Sequence, residues 1–186
     1  GYFQKEVILK SINQESLINL RLLKKDNIRL REILSLQNSS IENTISAAVI
    51  SRKTGSWWRQ IILNKGSNDG VEIGSTVIGP GGLLGRVSNT SLFTSSVKLL
   101  TSPESKVGVW IDRIQINGLL VGVGDDYPSL ILYSKDADIK VGDYVSSSPA
   151  SSLLPPNIPI GIVQSIDDTL QSKKTAKISL LAKPNL

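Results

Sequence analysis

Leu63-Asn64-Lys65-Gly66-Ser67-Asn68-Asp69-Gly70-Val71-Glu72-Ile73-Gly74-Ser75-Thr76-Val77 decides the fold, because the chain states its pattern twice. Leu63, Gly70, Val71, Ile73, Gly74 and Val77 are answered 68 residues later by Ile131, Asp138, Ile139, Val141, Gly142 and Val145. Past an insertion in the second copy, Leu84-Gly85-Arg86-Val87 is matched by Ile160-Gly161-Ile162-Val163. Val97, Leu99, Leu100 and Pro103 are then matched by Ile178, Leu180, Leu181 and Pro184. Glycines and branched apolar residues recurring in this order describe a module of strands and turns, longer than one hairpin. They predict two related small barrels or sandwiches.

Around the repeat, short apolar or alternating runs are separated by turn residues. Strands are expected over 45–52, 58–63, 76–79, 83–88, 95–100, 107–111, 115–123, 129–133, 144–147, 160–166 and 175–181. Helical patterning does not interrupt them, which argues against a parallel α/β sheet. Gly66, Gly70, Gly74, Gly82, Gly85, Gly142 and Gly161 read as structural turn positions.

The residues before the repeat are of another kind. From Tyr2 to Thr54 there is no glycine and no proline, whereas all eight prolines come after. Residues 5 to about 37 therefore read as one helix, ended by Asn38-Ser39-Ser40, whose side chains compete for backbone hydrogen bonds. A heptad places Asn13, Leu20, Asn27 and Leu34 at a, and Leu9, Ser16, Leu23 and Leu30 at d. Leucine at d suits a parallel two-stranded coil, and Asn27 at a would fix its register. Leu9, Leu20, Leu23, Asn27, Leu30 and Leu34 are the expected coiled-coil interface. Ile12, Leu17, Ile18, Leu22, Ile28 and Ile33 lie off that seam, so the helix wants more than one neighbour; packing on its own domain is the other reading.

Composition removes whole classes of chemistry. The 186 residues contain no cysteine and no histidine. Thiolate zinc sites, cysteine nucleophiles, Ser-His-Asp triads and imidazole acid–base catalysis are excluded. The net charge of +5 is uneven, with +3 over residues 5–34 and +2 over the remainder. Residues 5–34 hold seven Lys/Arg against four Asp/Glu, and aromatic content is 5%; neither favours a nucleic-acid surface. Gly79-Pro80-Gly81-Gly82-Leu83-Leu84-Gly85 resembles a phosphate loop, but a strand follows it where a nucleotide loop needs a helix, so it reads as a tight hairpin. Asp125-Asp126 and Asp136 with Asp138 sit in turns and lack the spacing of a calcium loop. Ser146-Ser147-Ser148 and Ser151-Ser152 have only lysines as candidate bases, in polar turns at Lys135, Lys140, Lys173 and Lys174. Ser146 to Pro159, the insertion in the second copy, reads as an exposed loop. Trp57-Trp58 would face opposite ways on a strand. One indole fills a core and the other anchors a partner, or both are structural at a rim. Catalytic residues, cofactors and metals are not expected.

Several segments together resemble a known family. Asp26-Asn27-Ile28-Arg29-Leu30-Arg31-Glu32-Ile33-Leu34 resembles the helix end of the MreC rod-shape-determining family. Asn64 to Val71 resembles its N-x-G-x-x-D-G-V element, and Thr76 to Val87 its V-I-x-x-x-G-L-V-G-R-V hairpin. Gly142-Asp143-Tyr144-Val145 and Pro159-Ile160-Gly161-Ile162-Val163 resemble its last two elements. The departure is Ser146-Ser147-Ser148, where the family's T-S-G stands. The resemblance implies a helix that dimerises, followed by two β-barrels arranged as in a chymotrypsin-like protease without its catalytic residues. It implies a periplasmic position behind a single transmembrane anchor that precedes residue 1. It also implies a link from the cytoskeletal MreB, through MreD, to a penicillin-binding transpeptidase of lateral peptidoglycan synthesis.

The expectation is a mainly β protein: a coiled-coil helix over 1–40, a first barrel over 41–104 and a second over 105–186, with strands free to cross that last boundary. Its expected work is that of a non-enzymatic, homodimeric scaffold maintaining cell shape. A serine-lysine hydrolase on a double barrel and a nucleic-acid-binding barrel are the alternatives.

Overall fold

The structure, a computed structural model, describes residues 2–33, 44–53, 55 and 59–184, with helix side chains described from 13 to 30. It divides into two units, residues 1–44 and 45–186, each described by itself. The first is α1 (Tyr2–Ile33), a helix of 32 residues that starts slightly earlier than its sequence predicts. Leu34 and the expected break at Asn38-Ser39-Ser40 lie outside the described residues.

Among its described residues the second unit is all β apart from one turn of 3₁₀ helix over Ser67–Asp69. β1 (Val49–Lys53), β2 (Gln60–Leu63), β3 (Thr76–Gly79), β4 (Gly82–Thr90) and β5 (Ser95–Leu99) make a five-stranded sheet ordered β1-β2-β5-β4-β3. β6 (Lys106–Ile111), β7 (Ile116–Val121), β8 (Ser129–Leu132), β9 (Tyr144–Ser147), β10 (Pro159–Asp167) and β11 (Lys174–Leu180) close into a barrel ordered β10-β11-β8-β7-β6-β9. Every pairing is antiparallel. Each expected strand falls on an observed one, with one correction at the first. Residues 45–48 are not strand; Ala48 instead ties to Asn64, its N–H donating to Oδ1 at 2.8 Å.

The repeat holds at the level of single hydrogen bonds. Gly74 and Gly142 both sit at positive φ, +90° and +93°. Each donates its N–H to the carbonyl of an equivalent valine, Val87 or Val163, at 2.8 and 2.9 Å. Those valines donate back to Ser75 and Asp143, both at 2.9 Å. The bulges recur too. Leu84 is skipped between the pairs Val77–Gly85 and Ile78–Leu83, and Ile160 between Val145–Gly161 and Ser146–Pro159. A further bulge follows Val87 in β4 and Val163 in β10. An extra residue at each such point bends its strand and increases its twist, which helps a short sheet curl.

Alternation decides what fills each module. β5 buries Ser95, Val97 and Leu99, and β6 buries Val107, Val109 and Ile111, every second residue in each case. The five-stranded sheet has a small core of Ile61, Leu63, Val87, Val97 and Leu99. The barrel core is larger and takes in two residues from outside the barrel, Leu83 of β4 and Leu100 just after β5. Leu83 reaches it because the β3–β4 hairpin drives its tip against barrel backbone. Gly79 pairs with Gly82, leaving Pro80-Gly81 as a two-residue turn. Proline supplies its fixed φ and Gly81 a φ of +100°, which side chains rarely tolerate. A Cβ on Gly82 would lie 2.0 Å from the Pro159 carbonyl oxygen.

Because Leu83 is fully buried in a core it shares with the barrel, Leu83→Ala should lower stability by about 2–5 kcal/mol. Both modules should still unfold in one denaturant transition, followed by tryptophan fluorescence and far-UV circular dichroism. Two separated transitions would show that the modules do not fold together.

Candidate functional site

Three features carry the functional question: the helix, the polar groups of the barrel, and two cavities in the β unit. On α1, Leu20, Leu23, Asn27 and Leu30 lie three or four residues apart and so share one face. The three leucines are each more than half exposed, at 63, 66 and 58%. Leu17, Ile18, Leu22 and Ile28 are exposed beside them. Leu9 is helical, but its side chain lies outside the described residues, as do Leu34, Trp57 and Trp58 altogether.

The expected turn glycines divide in two. Gly70, Gly74, Gly82 and Gly142 have positive φ. Gly66 is the N-cap of the 3₁₀ turn, in extended backbone. Gly85 and Gly161 are corrected: they stand inside β4 and β10. What those two positions need is room, since a Cβ would lie 2.0 Å from the Lys98 oxygen or 2.6 Å from the Ser179 oxygen. Gly81, at positive φ, sits in the tight hairpin expected there, and Gly124, also at positive φ, was not among the expected turn glycines. Its signal was the Gly-Asp-Asp run that carries it.

The serine-rich insertion is also corrected. It is not simply an exposed loop: Ser146, Ser147 and Ser148 are buried, and Leu154 and Ile158 enter the barrel core. Ser147 Oγ donates to the Pro155 carbonyl at 2.6 Å and accepts from the Ile158 N–H at 2.8 Å. Ser146 Oγ donates to Asp112 at 3.1 Å, and Ser148 Oγ to Asn117 Oδ1 at 2.6 Å. The Ser147 hydroxyl thus satisfies two backbone groups of the irregular segment after β9, while those of Ser146 and Ser148 pair with side chains. Three of the four lysines named as possible bases, Lys135, Lys140 and Lys174, are engaged elsewhere. Lys135 Nζ donates to the Asp168 and Leu170 carbonyls, Lys140 faces Asp138 at 3.6 Å, and Lys174 Nζ donates to the Ala137 carbonyl at 2.8 Å.

Asp143 organises the barrel turn. Arg113 grips it bidentately, Nε to Oδ1 at 2.7 Å and Nη2 to Oδ2 at 2.8 Å, and the Lys140 N–H adds a bond at 2.8 Å. The Asp143 side chain is buried while that of Arg113 is 41% exposed. The Arg113 hydrogen bonds hold the carboxyl below its ordinary range against the opposing effect of burial. At the other end of the unit, Arg59 Nη1 donates to Asp126 at 2.8 Å. That bond, with Lys183 and Arg52 nearby, likewise lowers Asp126. Groups of acidic residues spaced to hold a metal ion are not found among the described residues.

One cavity, of about 360 Å³, opens between β1 and β3, with Val49, Val71, Val77, Ile78 and Leu84 in its wall. The other, of about 270 Å³, lies where sheet meets barrel, among Arg52, Arg59, Asp126, Tyr127 and Lys183. The first is apolar and edged by strands; the second is basic.

Comparison with known proteins fits this architecture. The family model described as "Rod shape-determining protein MreC, barrel core" matches residues 49–185. A cell shape-determining protein MreC from Listeria monocytogenes is 32% identical over 163 residues, 84% of this chain and 55% of that protein. A solved Listeria MreC structure superposes with a TM-score of 0.78 at 31% identity, covering 96% of this chain and 88% of that one. A complex between a penicillin-binding protein (PBP2) and MreC from Helicobacter pylori matches in fold, with a TM-score of 0.57 at 18% identity over 71% of this chain and 83% of that chain. The chain spans about half the length of the curated relatives it matches.

The Arg113–Asp143 pair predicts an acid-sensitive fold. A depressed folded-state pKa contributes stability above the unfolded value, about 3.9, and that contribution is lost as pH falls through the lower folded value. Asp143→Asn should cost about 1–2 kcal/mol at neutral pH, discounted because Arg113 is partly solvated. It should also flatten the decline of stability below about pH 4. Denaturant melts from pH 7 to pH 2 on both proteins test this; parallel curves would refute it.

Proposed function

This chain belongs to the MreC family of rod shape-determining proteins, and we propose that it acts as a non-enzymatic scaffold of the cell-elongation machinery. Paired helices bring two copies together, and the β unit offers its surface to a penicillin-binding transpeptidase of lateral peptidoglycan synthesis. The β unit works in the periplasm, tethered by a membrane anchor that precedes the helix, and the assembly is joined to MreB through MreD.

The observation that carries the reading is the row of exposed leucines on one face of α1. Leaving Leu20, Leu23 and Leu30 in water forfeits roughly 1.5–3 kcal/mol for each side chain that a partner helix would bury. An isolated helix of this kind draws most of its stability from such packing. Asn27, on the same face, would set the register of two parallel helices. The transpeptidase partner follows the Helicobacter pylori protein, which was solved in complex with a penicillin-binding protein.

The serine-lysine alternative is disfavoured by the chemistry of its own residues. The Ser146–Ser148 hydroxyls are committed to the barrel and its loop, and Lys135, Lys140 and Lys174 are held by carbonyls or carboxylates. A nucleophile of that type needs a neutral lysine beside it. The nucleic-acid alternative is disfavoured by an aromatic content of only 5%.

Analytical ultracentrifugation of a chain that includes the helix tests the scaffold. The parent protein should sediment as a dimer, and Leu23→Asp with Leu30→Asp should sediment as a monomer. A parent that stays monomeric at high concentration would remove the paired helix. Loss of binding to the purified periplasmic domain of a penicillin-binding transpeptidase is read separately.

A further inference from the structure

Among the described residues the two modules differ by one strand. Aligned through their shared bulges, β1-β2-β5-β4-β3 corresponds to β7-β8-β11-β10-β9. In the barrel, β6 then stands between β7 and β9 and closes the ring. In the five-stranded sheet that place lies between β1 and β3, and among the described residues neither pairs with another strand there. Parity reinforces the point. With five strands in antiparallel succession, β1 and β3 run the same way. A sixth strand running against both would complete an all-antiparallel ring.

The empty place is also where the apolar cavity opens, so the core of the first module is reached through it. Val49 of β1 and Val77 of β3 flank the opening, with Ile61, Leu63 and Val87 at its floor. In the barrel, the corresponding place is filled by inward-facing Val107, Val109 and Ile111. Their side chains define what the seam would accept: branched apolar residues at every second position.

Direction and charge narrow the ligand further. A strand antiparallel to β1 would begin at the Lys53 end and finish at the Val49 end. At the beginning stand Arg52 and Lys53, the last residues of β1, which line the adjoining second cavity, and Lys183, which stands in the wall of both. Arg52 Nη1 donates to the Pro184 carbonyl at 3.0 Å, which brings the C-terminal segment to this end. Asp126 is the carboxylate nearby, and it is already paired with Arg59.

We infer that the seam between β1 and β3 is a strand-addition site for an extended segment of a partner protein, with acidic residues at its start followed by alternating branched apolar side chains. The backbone of that segment would pair with β1 and β3, and its apolar side chains would fill the cavity. This rests on the scaffold reading and names the surface it uses.

The probe is a synthetic acetylated peptide of two glutamates followed by alternating valine and threonine, titrated into isotopically labelled full chain. A second peptide carries the glutamates at its other end, and a third has the same composition with the alternation broken. The first should bind most tightly, shift amide resonances of β1 and β3, and slow their exchange with solvent. Ile78→Asp and Ile45→Asp, both at exposed cavity residues, should each weaken it about tenfold by placing an unpaired charge at the seam. Ile73→Asp, exposed outside the cavity, should leave binding unchanged. Equal binding of all three peptides, shifts confined to the barrel, or β1 and β3 amides already protected without peptide would each overturn the inference. So would failure of the peptide to bind. If the transpeptidase domain still binds in that case, the scaffold stands and only the seam falls; if it binds nothing either, both fall.

Discussion

The arrangement of the β unit depends on one close backbone contact. Gly81 and Gly82, at the tip of the β3–β4 hairpin, press against the carbonyls of Leu181 and Pro159 where any side chain would collide. That contact places Leu83 inside the barrel core and Leu100 beside it. It makes the five-stranded sheet dependent on the barrel, whose core is several times larger. One cavity, between β1 and β3, is lined by Gly79 and Pro80 of the same hairpin, and the other lies where sheet meets barrel.

Polar contacts then fix the parts that hydrophobic burial leaves loose. Asp143 binds the turn before β9 to Arg113, which follows β6, so two segments 30 residues apart are clamped by a planar bidentate pair. Ser147 does the same for the insertion, holding both Pro155 and Ile158. Arg59 and Asp126 join β2 to the loop after β7. The Arg113–Asp143 pair extends the ladder between β6 and β9 past its last rung, whereas Arg59–Asp126 links segments that no strand ladder connects.

What could be read in the chain beforehand was what the backbone demands locally. Gly74 and Gly142 were legible because positive φ leaves glycine in the same place in both copies. The strands were legible because burial alternates along them, and the helix because nothing breaks it. Gly85 and Gly161 were noticed but misread: their cause is a neighbouring strand brought close by pairing, which spacing does not reveal. Burial of Ser146–Ser148 was missed for a similar reason, since a serine run looks solvated until its acceptors are in place. The Arg113–Asp143 pair and the strand that distinguishes the two modules belong to tertiary arrangement, and no local signal announces either.

The position of β1 has a mechanical side. Among the described residues, the first strand after the helix, β1, is held by one neighbour, whereas each barrel strand is held by two. Tension drawn through the helix would therefore reach the ladder between β1 and β2 first. The barrel, whose strands would have to slide past two neighbours at once, stays intact at that load. A pull on this protein would thus open its first module while sparing its second.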